Sequence, residues 1–208
     1  MLQNGDQKNT ILIILISLIL TLILGKIIIP ILRSSHIGQN IRQEGPKSHY
    51  DKAGTPTMGG IIFLISALVL TLIFVPFSMK TFILLLATFG FGAIGFIDDF
   101  RKLILKRSLG LTAKQKIILQ VALSFLIAIL CFIFQNDTIT KLWIPFTDIR
   151  LNVSILGIPI MMFIMIGTSN AVNLTDGLDG LSTQVSIPVF LTFIILSQNI
   201  EDELFASI

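Results

Sequence analysis

Long apolar runs without charged residues dominate this chain, and they constrain its fold more than any other feature. One of these runs extends from Thr81 to Ile97 and ends at the adjacent carboxylates Asp98 and Asp99. The chain as a whole is 53% hydrophobic and only 13% charged, whereas a soluble domain carries about 25% charged residues. The sequence therefore predicts an integral membrane protein.

Six segments are long and apolar enough to cross a hydrocarbon core of about 30 Å, which requires roughly 20 helical residues. We predict spans at about 11–32, 58–77, 80–97, 117–135, 155–172 and 181–197. Glycine and proline interrupt the last two spans, and membrane helices tolerate such breaks when neighbouring groups satisfy the freed backbone. Between the fourth and fifth spans, residues 136–154 are expected to form a short external hairpin. The predicted fold class is an all-α, polytopic membrane helix bundle that makes a single membrane domain over residues 1–208.

The distribution of lysine and arginine predicts the orientation of these spans. Ten basic residues fall in the segments 33–57 and 98–116, and four fall on the opposite side. Cytoplasmic loops are enriched in lysine and arginine, so both basic segments are predicted to face the cytoplasm and the N-terminus to face outward. Parity then brings residues 173–180 to the cytoplasmic face as well.

Several other classes of protein and site are disfavoured by the same sequence. The net charge of +3 is too small to indicate a nucleic-acid partner. The single cysteine, Cys131, excludes an intramolecular disulfide. His36 and His49 have no second pair of ligands at zinc-binding spacing.

The segment after the third span combines carboxylates with lysines. Asp98, Lys102 and Lys106 follow one another at intervals of four, and Asp99 stands three residues before Lys102. If the helix continues beyond the membrane, these side chains form one stripe. Mg²⁺ uses one or two carboxylates together with substrate phosphates, and lysine binds phosphate as a point charge. The alternative is an interfacial stripe of salt bridges with lysines that only set topology.

Two further cytoplasmic segments carry candidate ligands. Asn173, Asp176 and Asp179 repeat every three residues and would share a face on a helix. The alternative is a plain turn, because Asn, Asp and Gly are turn formers. Two aspartates without a lysine are unusual where the membrane favours positive loops, so we favour a binding function.

The segment Lys52–Gly60 reads Lys-Ala-Gly-Thr-Pro-Thr-Met-Gly-Gly at the start of the second span. Backbone amides near glycines at a helix N-terminus can cradle a phosphate. The alternative for Thr57 is a simple helix N-cap.

Together the three segments resemble the polyprenyl-phosphate N-acetylhexosamine-1-phosphate transferases. The resemblance rests on residues 45–49 and 52–60, on residues 98–102 and on residues 173–181. The run Thr-Pro-Thr-Met-Gly-Gly is typical of the family's muramoyl-pentapeptide branch. The resemblance implies an Mg²⁺-dependent phosphoglycosyl transfer from UDP-N-acetylmuramoyl-pentapeptide to undecaprenyl phosphate, which gives lipid I and UMP. It also implies a bacterial cytoplasmic membrane location with the active site on the cytoplasmic face.

The resemblance also implies roles for individual residues. Asp98 and Asp99 would be the catalytic pair, close to the metal and the lipid phosphate. The residues implied to bind substrate are Lys52, Thr57, Lys102, Lys106, Lys114, Asn173, Asp176 and Asp179. A phosphate monoester has its second pKa near roughly 6, so the lipid phosphate is already mostly dianionic at neutral pH. We therefore expect Asp98 to position the metal and the substrate rather than to remove a proton.

Members of the family continue further, with more spans, another catalytic aspartate and a histidine-rich motif. We expect this chain to be the N-terminal portion of such an enzyme, incomplete as a site on its own. Open alternatives are a sister transferase that uses UDP-N-acetylglucosamine, a transporter or channel, and a truncated non-catalytic membrane protein. The oligomeric state is open, with a homodimer as one candidate assembly.

Overall fold

A computed structural model describes residues 4–34, 57–105, 110–135, 139–144, 147, 149–176 and 180–199. Its elements, in chain order, are α1 (Asn4–Ser34), α2 (Gly60–Phe74), α3 (Met79–Ile104), α4 (Ala113–Phe134), β1 (Lys141–Trp143), β2 (Arg150–Asn152), α5 (Gly157–Thr175) and α6 (Leu181–Asn199). A short 3₁₀ turn, Ser154–Leu156, precedes α5. The predicted all-α class is confirmed, and the two strands are the only ones in the described part of the chain.

Four of these helices are long and apolar enough to cross a membrane. They cover Thr10–Ser34, Met79–Ile104, Ala113–Phe134 and, with the 3₁₀ turn, Ser154–Thr175. The predicted second span corresponds to the shorter helix α2, Gly60–Phe74, and the predicted sixth span to the apolar part Leu181–Ile195 of α6. The polytopic membrane class is thus confirmed, while the outward N-terminus and the external hairpin stay predictions.

The internal contacts divide the chain into two compact units. One covers Gln3–Leu119, and the other covers Gln120–Ile208 together with Met1–Leu2. The single membrane domain over residues 1–208 stays a prediction. The first unit contains α1, α2, α3 and the start of α4. The second contains the rest of α4, the hairpin, α5 and α6.

Small residues and hydroxyl pairs hold the helices of the first unit together. The Thr21 and Ser66 hydroxyls form a 3.0 Å hydrogen bond between α1 and α2. Gly92 lets α3 approach α2 closely, because a Cβ there would lie 2.9 Å from a methyl group of Leu64. Small residues at helix interfaces are a common way for membrane helices to pack.

A side-chain cap fixes the start of α3. The length of the helix then determines where its C-terminal end lies. Ser78 is the N-cap, and its hydroxyl accepts a 3.1 Å hydrogen bond from the Thr81 amide. From Met79 the helix runs for 26 residues, which is about 39 Å at 1.5 Å per residue. A hydrocarbon core is only about 30 Å thick. Measured from Met79, Asp98 lies about 29 Å and Lys102 about 35 Å along the helix, so these residues are expected at the boundary of the apolar layer.

The second unit is built on a buried stripe of α4. Gln120, Ser124, Ile127, Ala128 and Cys131 are the buried residues of this helix, and they recur at helical spacing along one face. The amide of Asn170 on α5 donates a 2.8 Å hydrogen bond to the Gln120 side-chain oxygen, which ties α5 to this stripe.

A two-stranded hairpin joins α4 to α5. It pairs β1 with β2 in antiparallel register, with Leu142 opposite Leu151, which confirms a hairpin within residues 136–154 but does not test its external location. Gly157, at the start of α5, packs directly on the Ile139 backbone, where a Cβ would collide with the carbonyl oxygen. The glycine is therefore required for this close approach.

Candidate active site

The C-terminal end of α3 brings two carboxylates and one lysine close together. The Lys102 ammonium lies 2.7 Å from Asp98 Oδ2 and 2.9 Å from Asp99 Oδ1. These spacings are the i,i+4 and i,i+3 pairs that the sequence predicted, and the helix continues through all three residues. One cation therefore lies between two negative groups, and the continuation of the predicted stripe through Lys102 is confirmed.

The other oxygen of Asp99 is bound by a residue from a distant part of the chain. The Thr57 hydroxyl donates a 2.9 Å hydrogen bond to Asp99 Oδ2. The N-cap of α2 is Gly59, with no side-chain cap hydrogen bond, so the alternative of Thr57 as a simple N-cap is wrong. The physical reason is that Met58 adopts a left-handed conformation with φ 68°, which few non-glycine residues do outside functional sites and turns.

The remaining oxygen of Asp98 accepts a backbone hydrogen bond from the loop before α4. The Leu111 amide donates to Asp98 Oδ1 at 2.8 Å. Gly110 makes this approach possible, because a Cβ on it would collide with the Asp98 carbonyl oxygen. We call the group formed by Asp98, Asp99, Lys102, Thr57 and the Leu111 amide the carboxylate cluster.

A capping box fixes the start of α4 beside the carboxylate cluster. The Thr112 hydroxyl accepts from the Gln115 amide at 3.2 Å, and Gln115 Oε1 accepts from the Thr112 amide at 3.1 Å. This reciprocal pair is a known helix-start device. Arg101 on α3 also donates to Gln115 Oε1 at 3.1 Å. The segment that carries the Leu111 amide is therefore anchored to the start of α4, which Arg101 in turn links to α3.

The carboxylate cluster is half-buried and carries net negative charge. The side-chain exposure is 15% for Asp98, 31% for Asp99 and 37% for Lys102. Partial burial strengthens each charged contact relative to one in bulk water, and a second lysine, Lys116, adds positive charge near Asp98. The cluster thus holds two carboxylates in fixed positions beside a cation at the end of a membrane helix.

The donor set of the carboxylate cluster fits a magnesium ion. Carboxylate oxygens are hard ligands, and Mg²⁺ usually takes one or two of them plus substrate phosphates and water. Lys102 already shows that Asp98 and Asp99 converge on one cation position. In the described part of the chain, no group of three or more His, Cys, Asp or Glu side chains could hold a metal. The fit therefore rests on these two carboxylates with substrate oxygens completing the shell.

Residues at the end of α5 form a separate candidate segment in the second unit. Helix α5 ends at Thr175, and Asp176 has φ −77° and ψ 38°. Asp176 is the C-cap residue, and its amide still donates to the Val172 carbonyl, so the expected helical spacing holds from Asn173 to the end of the helix. Asn173 and Asp176 are both exposed. Gly180 has φ +77°, which agrees with the tight turn expected of the glycines here.

Other predicted substrate-binding residues gain no structural role from the described contacts. Lys114 lies exposed in the first turn of α4. Lys52, Lys106 and Asp179 lie outside the described residues, so their implied roles stay predictions.

Sequence reasoning missed three parts of this site. Gly110 and Leu111 give no recognisable motif, since their role depends on a contact with Asp98 across the loop. The Thr112–Gln115 box was readable, because the pattern Thr-x-x-Gln before an apolar run is a helix-start signature. The target of the Thr57 hydroxyl was not readable, since 42 residues separate it from Asp99.

Comparisons with known proteins agree with the arrangement of these segments. The model of glycosyl transferase family 4 matches residues 81–208, which include the carboxylate pair. A phospho-N-acetylmuramoyl-pentapeptide-transferase signature matches residues 52–64, which include Thr57.

Curated relatives with the name phospho-N-acetylmuramoyl-pentapeptide-transferase are similar over most of this chain. The one from Clostridioides difficile (strain 630) is 50% identical over 186 residues, which are 89% of this chain and 58% of the relative. Those from Geobacillus sp. (strain WCH70) and Desulfitobacterium hafniense (strain DSM 10664 / DCB-2) are 44% and 48% identical, over 93% and 86% of this chain. These two alignments cover 60% and 54% of the relatives. The chain thus spans somewhat more than half the length of these relatives.

Proposed function

We propose a phosphoglycosyl transfer reaction for the protein that carries this chain, because the chain belongs to glycosyl transferase family 4. In the proposed reaction, phospho-N-acetylmuramoyl-pentapeptide moves from its UDP carrier to undecaprenyl phosphate, which gives lipid I and UMP. The match of residues 52–64 to the muramoyl-pentapeptide signature supports this donor. The similar relatives carry the same name, and no observation favours UDP-N-acetylglucosamine instead.

The observation that carries the proposal is the carboxylate cluster at the end of a membrane helix. The donor is soluble and the acceptor is a membrane lipid, so the reacting phosphates have to meet at the edge of the apolar layer. Asp98, Asp99 and Lys102 lie in the last turns of α3, where the apolar layer is expected to end. Phosphoryl transfer requires positioning and charge neutralisation more than covalent participation by the protein.

The proposed step exchanges one phosphorus–oxygen bond for another. An oxygen of the lipid phosphate attacks the phosphorus attached to the sugar, and the bond from this phosphorus to UMP breaks. UMP leaves with the bonding electron pair, and the new diphosphate links sugar to lipid. The lipid phosphate is mostly dianionic at neutral pH, so this balance needs no base to remove a proton from it.

Within this proposal the two carboxylates position cations rather than transfer protons. Asp98 accepts hydrogen bonds from the Leu111 amide and from Lys102, which fix its carboxylate in one orientation. Asp99 is fixed in the same way by Thr57 and Lys102. Lys102 has three N–H donors, so it can contact a phosphate oxygen while it remains near the carboxylates. Its role would be to orient the phosphate and to offset its charge.

Magnesium is the proposed cofactor, with Asp98 and Asp99 as its protein ligands. When bound, it would neutralise negative charge on the phosphate oxygens during transfer. The cytoplasmic face is the proposed side of the reaction, because the basic segment 98–116 follows the positive-inside rule. Asn173 and Asp176 are proposed to bind the nucleotide and sugar region.

A donor panel tests the proposed function. Because the chain covers 58% of the Clostridioides difficile relative, the matched segment of that relative would be replaced by this chain. The purified chimera would receive undecaprenyl phosphate, Mg²⁺ and either UDP-N-acetylmuramoyl-pentapeptide or UDP-N-acetylglucosamine. We expect a lipid-linked product from the first donor at a rate at least 100-fold above that from the second. A folded chimera that prefers UDP-N-acetylglucosamine would contradict the proposal.

A further inference from the structure

Lys26 is a charged side chain within an otherwise apolar membrane helix. It is the only charged residue between Thr10 and Ile31 in the sequence, and the span around it has a mean hydropathy of 2.9. The residue is exposed, and no hydrogen bond or ion pair joins it to another residue in the described part of the chain. An ionisable group in a membrane span is costly, and it usually has a counter-charge or a functional role.

An apolar cavity of about 580 Å³ opens beside Lys26 between α1 and α2. Its lining includes Leu22, Gly25, Ile29 and Ile62. Thr21 also borders it, but the Thr21 hydroxyl is already hydrogen-bonded to Ser66. Among the lining side chains, Lys26 therefore supplies the one charge that a ligand could neutralise.

The position of Lys26 along α1 brings phosphate groups of one leaflet within reach. Helix α1 ends at Ser34, which is about 12 Å beyond Lys26 at 1.5 Å per residue. A lysine side chain can lie along apolar surface and extend its ammonium toward the headgroups. The cavity lies along the same stretch of helix.

We propose that this groove between α1 and α2 binds an anionic glycerophospholipid, with its phosphate at Lys26 and an acyl chain in the cavity. Lys26 provides one positive charge at the edge of the apolar groove. An anionic phospholipid provides one negative charge attached to a hydrocarbon chain, so it matches both features. Neither a soluble anion nor a neutral lipid satisfies both parts. The proposal uses no residue of the carboxylate cluster and does not depend on the proposed transferase function.

Native mass spectrometry of the whole chain tests the charge requirement. The protein would be released from bilayers with equal amounts of phosphatidylglycerol and phosphatidylcholine, and the retained lipids would be counted. We expect one phosphatidylglycerol to be retained preferentially, and Lys26→Gln to lower this preference about fivefold, since one lysine near an anionic surface contributes about that factor. Lys26→Arg should keep the preference. Arg33→Gln is the matched control, because Arg33 ends the same helix without lining the cavity.

A second pair of variants tests the groove while leaving the charge in place. Gly25→Leu would place a branched side chain in the cavity beside Lys26 and should displace the retained lipid. Gly25→Ala should retain it, because the added Cβ would lie 3.8 Å from the Ile29 methyl, an ordinary contact. Circular dichroism would verify that each variant remains helical.

Three results would overturn the proposal. The first is equal retention of both lipids by the unmodified chain. The second is unchanged retention in folded Lys26→Gln or Gly25→Leu. The third is displacement of phosphatidylglycerol by equimolar inorganic phosphate or undecaprenyl phosphate, which would identify a simple anion site or a site for a different lipid.

Discussion

Gly110→Ala gives the sharpest test of how the carboxylate cluster is held. Gly110 packs against the Asp98 backbone so closely that a Cβ would collide with the Asp98 carbonyl oxygen. The loop must therefore move away, and it carries with it the Leu111 amide that donates to Asp98 at 2.8 Å. We therefore expect the methyl group added at position 110 to break the hydrogen bond between the neighbouring Leu111 amide and Asp98.

The expected loss combines three contributions. A hydrogen bond to a charged group contributes about 2 kcal/mol to stability, and overpacking of a tight contact costs about 2 kcal/mol. Replacing glycine restricts the unfolded chain, which offsets about 0.7 kcal/mol. We therefore expect the free energy of unfolding to fall by about 3 kcal/mol, a magnitude built from these typical values.

Reversible unfolding in mixed detergent and SDS micelles would measure this loss. Gly95→Ala is the matched control, because Gly95 lies on α3 and no atom lies within 4 Å of an added Cβ. Glycine is less favourable than alanine inside a helix by about 0.5–1 kcal/mol. The control should therefore be slightly stabilised while Gly110→Ala is strongly destabilised. Equal stabilities for Gly110→Ala and the unmodified chain would refute the described packing of Gly110 on Asp98.

Three further substitutions have expected outcomes. Lys102→Met removes the cation shared by Asp98 and Asp99; since the lysine is partly exposed, the stability loss should be about 1 kcal/mol and should shrink in high salt, and a loss that salt leaves unchanged would contradict the ion-pair reading. Thr57→Val removes the hydrogen bond to Asp99 and should cost about 1 kcal/mol in the same unfolding assay, whereas Thr57→Ser, which keeps the hydroxyl, should cost less. Gln120→Leu removes two hydrogen bonds to α5, one accepted from Asn170 and one donated to Ser169, and should cost about 1.2 kcal/mol at an average of about 0.6 kcal/mol for each hydrogen bond between membrane helices; a loss several times larger would show that Gln120 organises more of the second unit.

The membrane class and the lysine–carboxylate stripe could be predicted from the sequence because both depend on local periodicity. Apolar runs of helical length predicted the long spans, and the i,i+3 and i,i+4 spacings predicted the pairs of Lys102 with Asp99 and Asp98. The same logic overestimated the length of the second span. Helix α2 ends at Phe74, just before Pro76, although hydropathy continues to Phe77. Proline lacks a backbone N–H and disfavours helix at the residue before it.

The rest of the site depends on contacts that sequence periodicity does not encode. The Leu111 amide and Asp98 are 13 residues apart, and only the close approach at Gly110 brings them together. The left-handed conformation of Met58 is also unusual for a residue with a side chain.

Product formation by carboxylate variants of the Clostridioides difficile chimera tests whether Asp98 and Asp99 are required for the proposed phosphate transfer. We expect lipid I from the chimera with UDP-N-acetylmuramoyl-pentapeptide, and a loss of at least 100-fold in rate for Asp98→Asn and for Asp99→Asn. Lys80→Gln, at the opposite end of α3, should keep the rate. Near-normal product formation by both aspartate variants, with folding verified, would contradict the account.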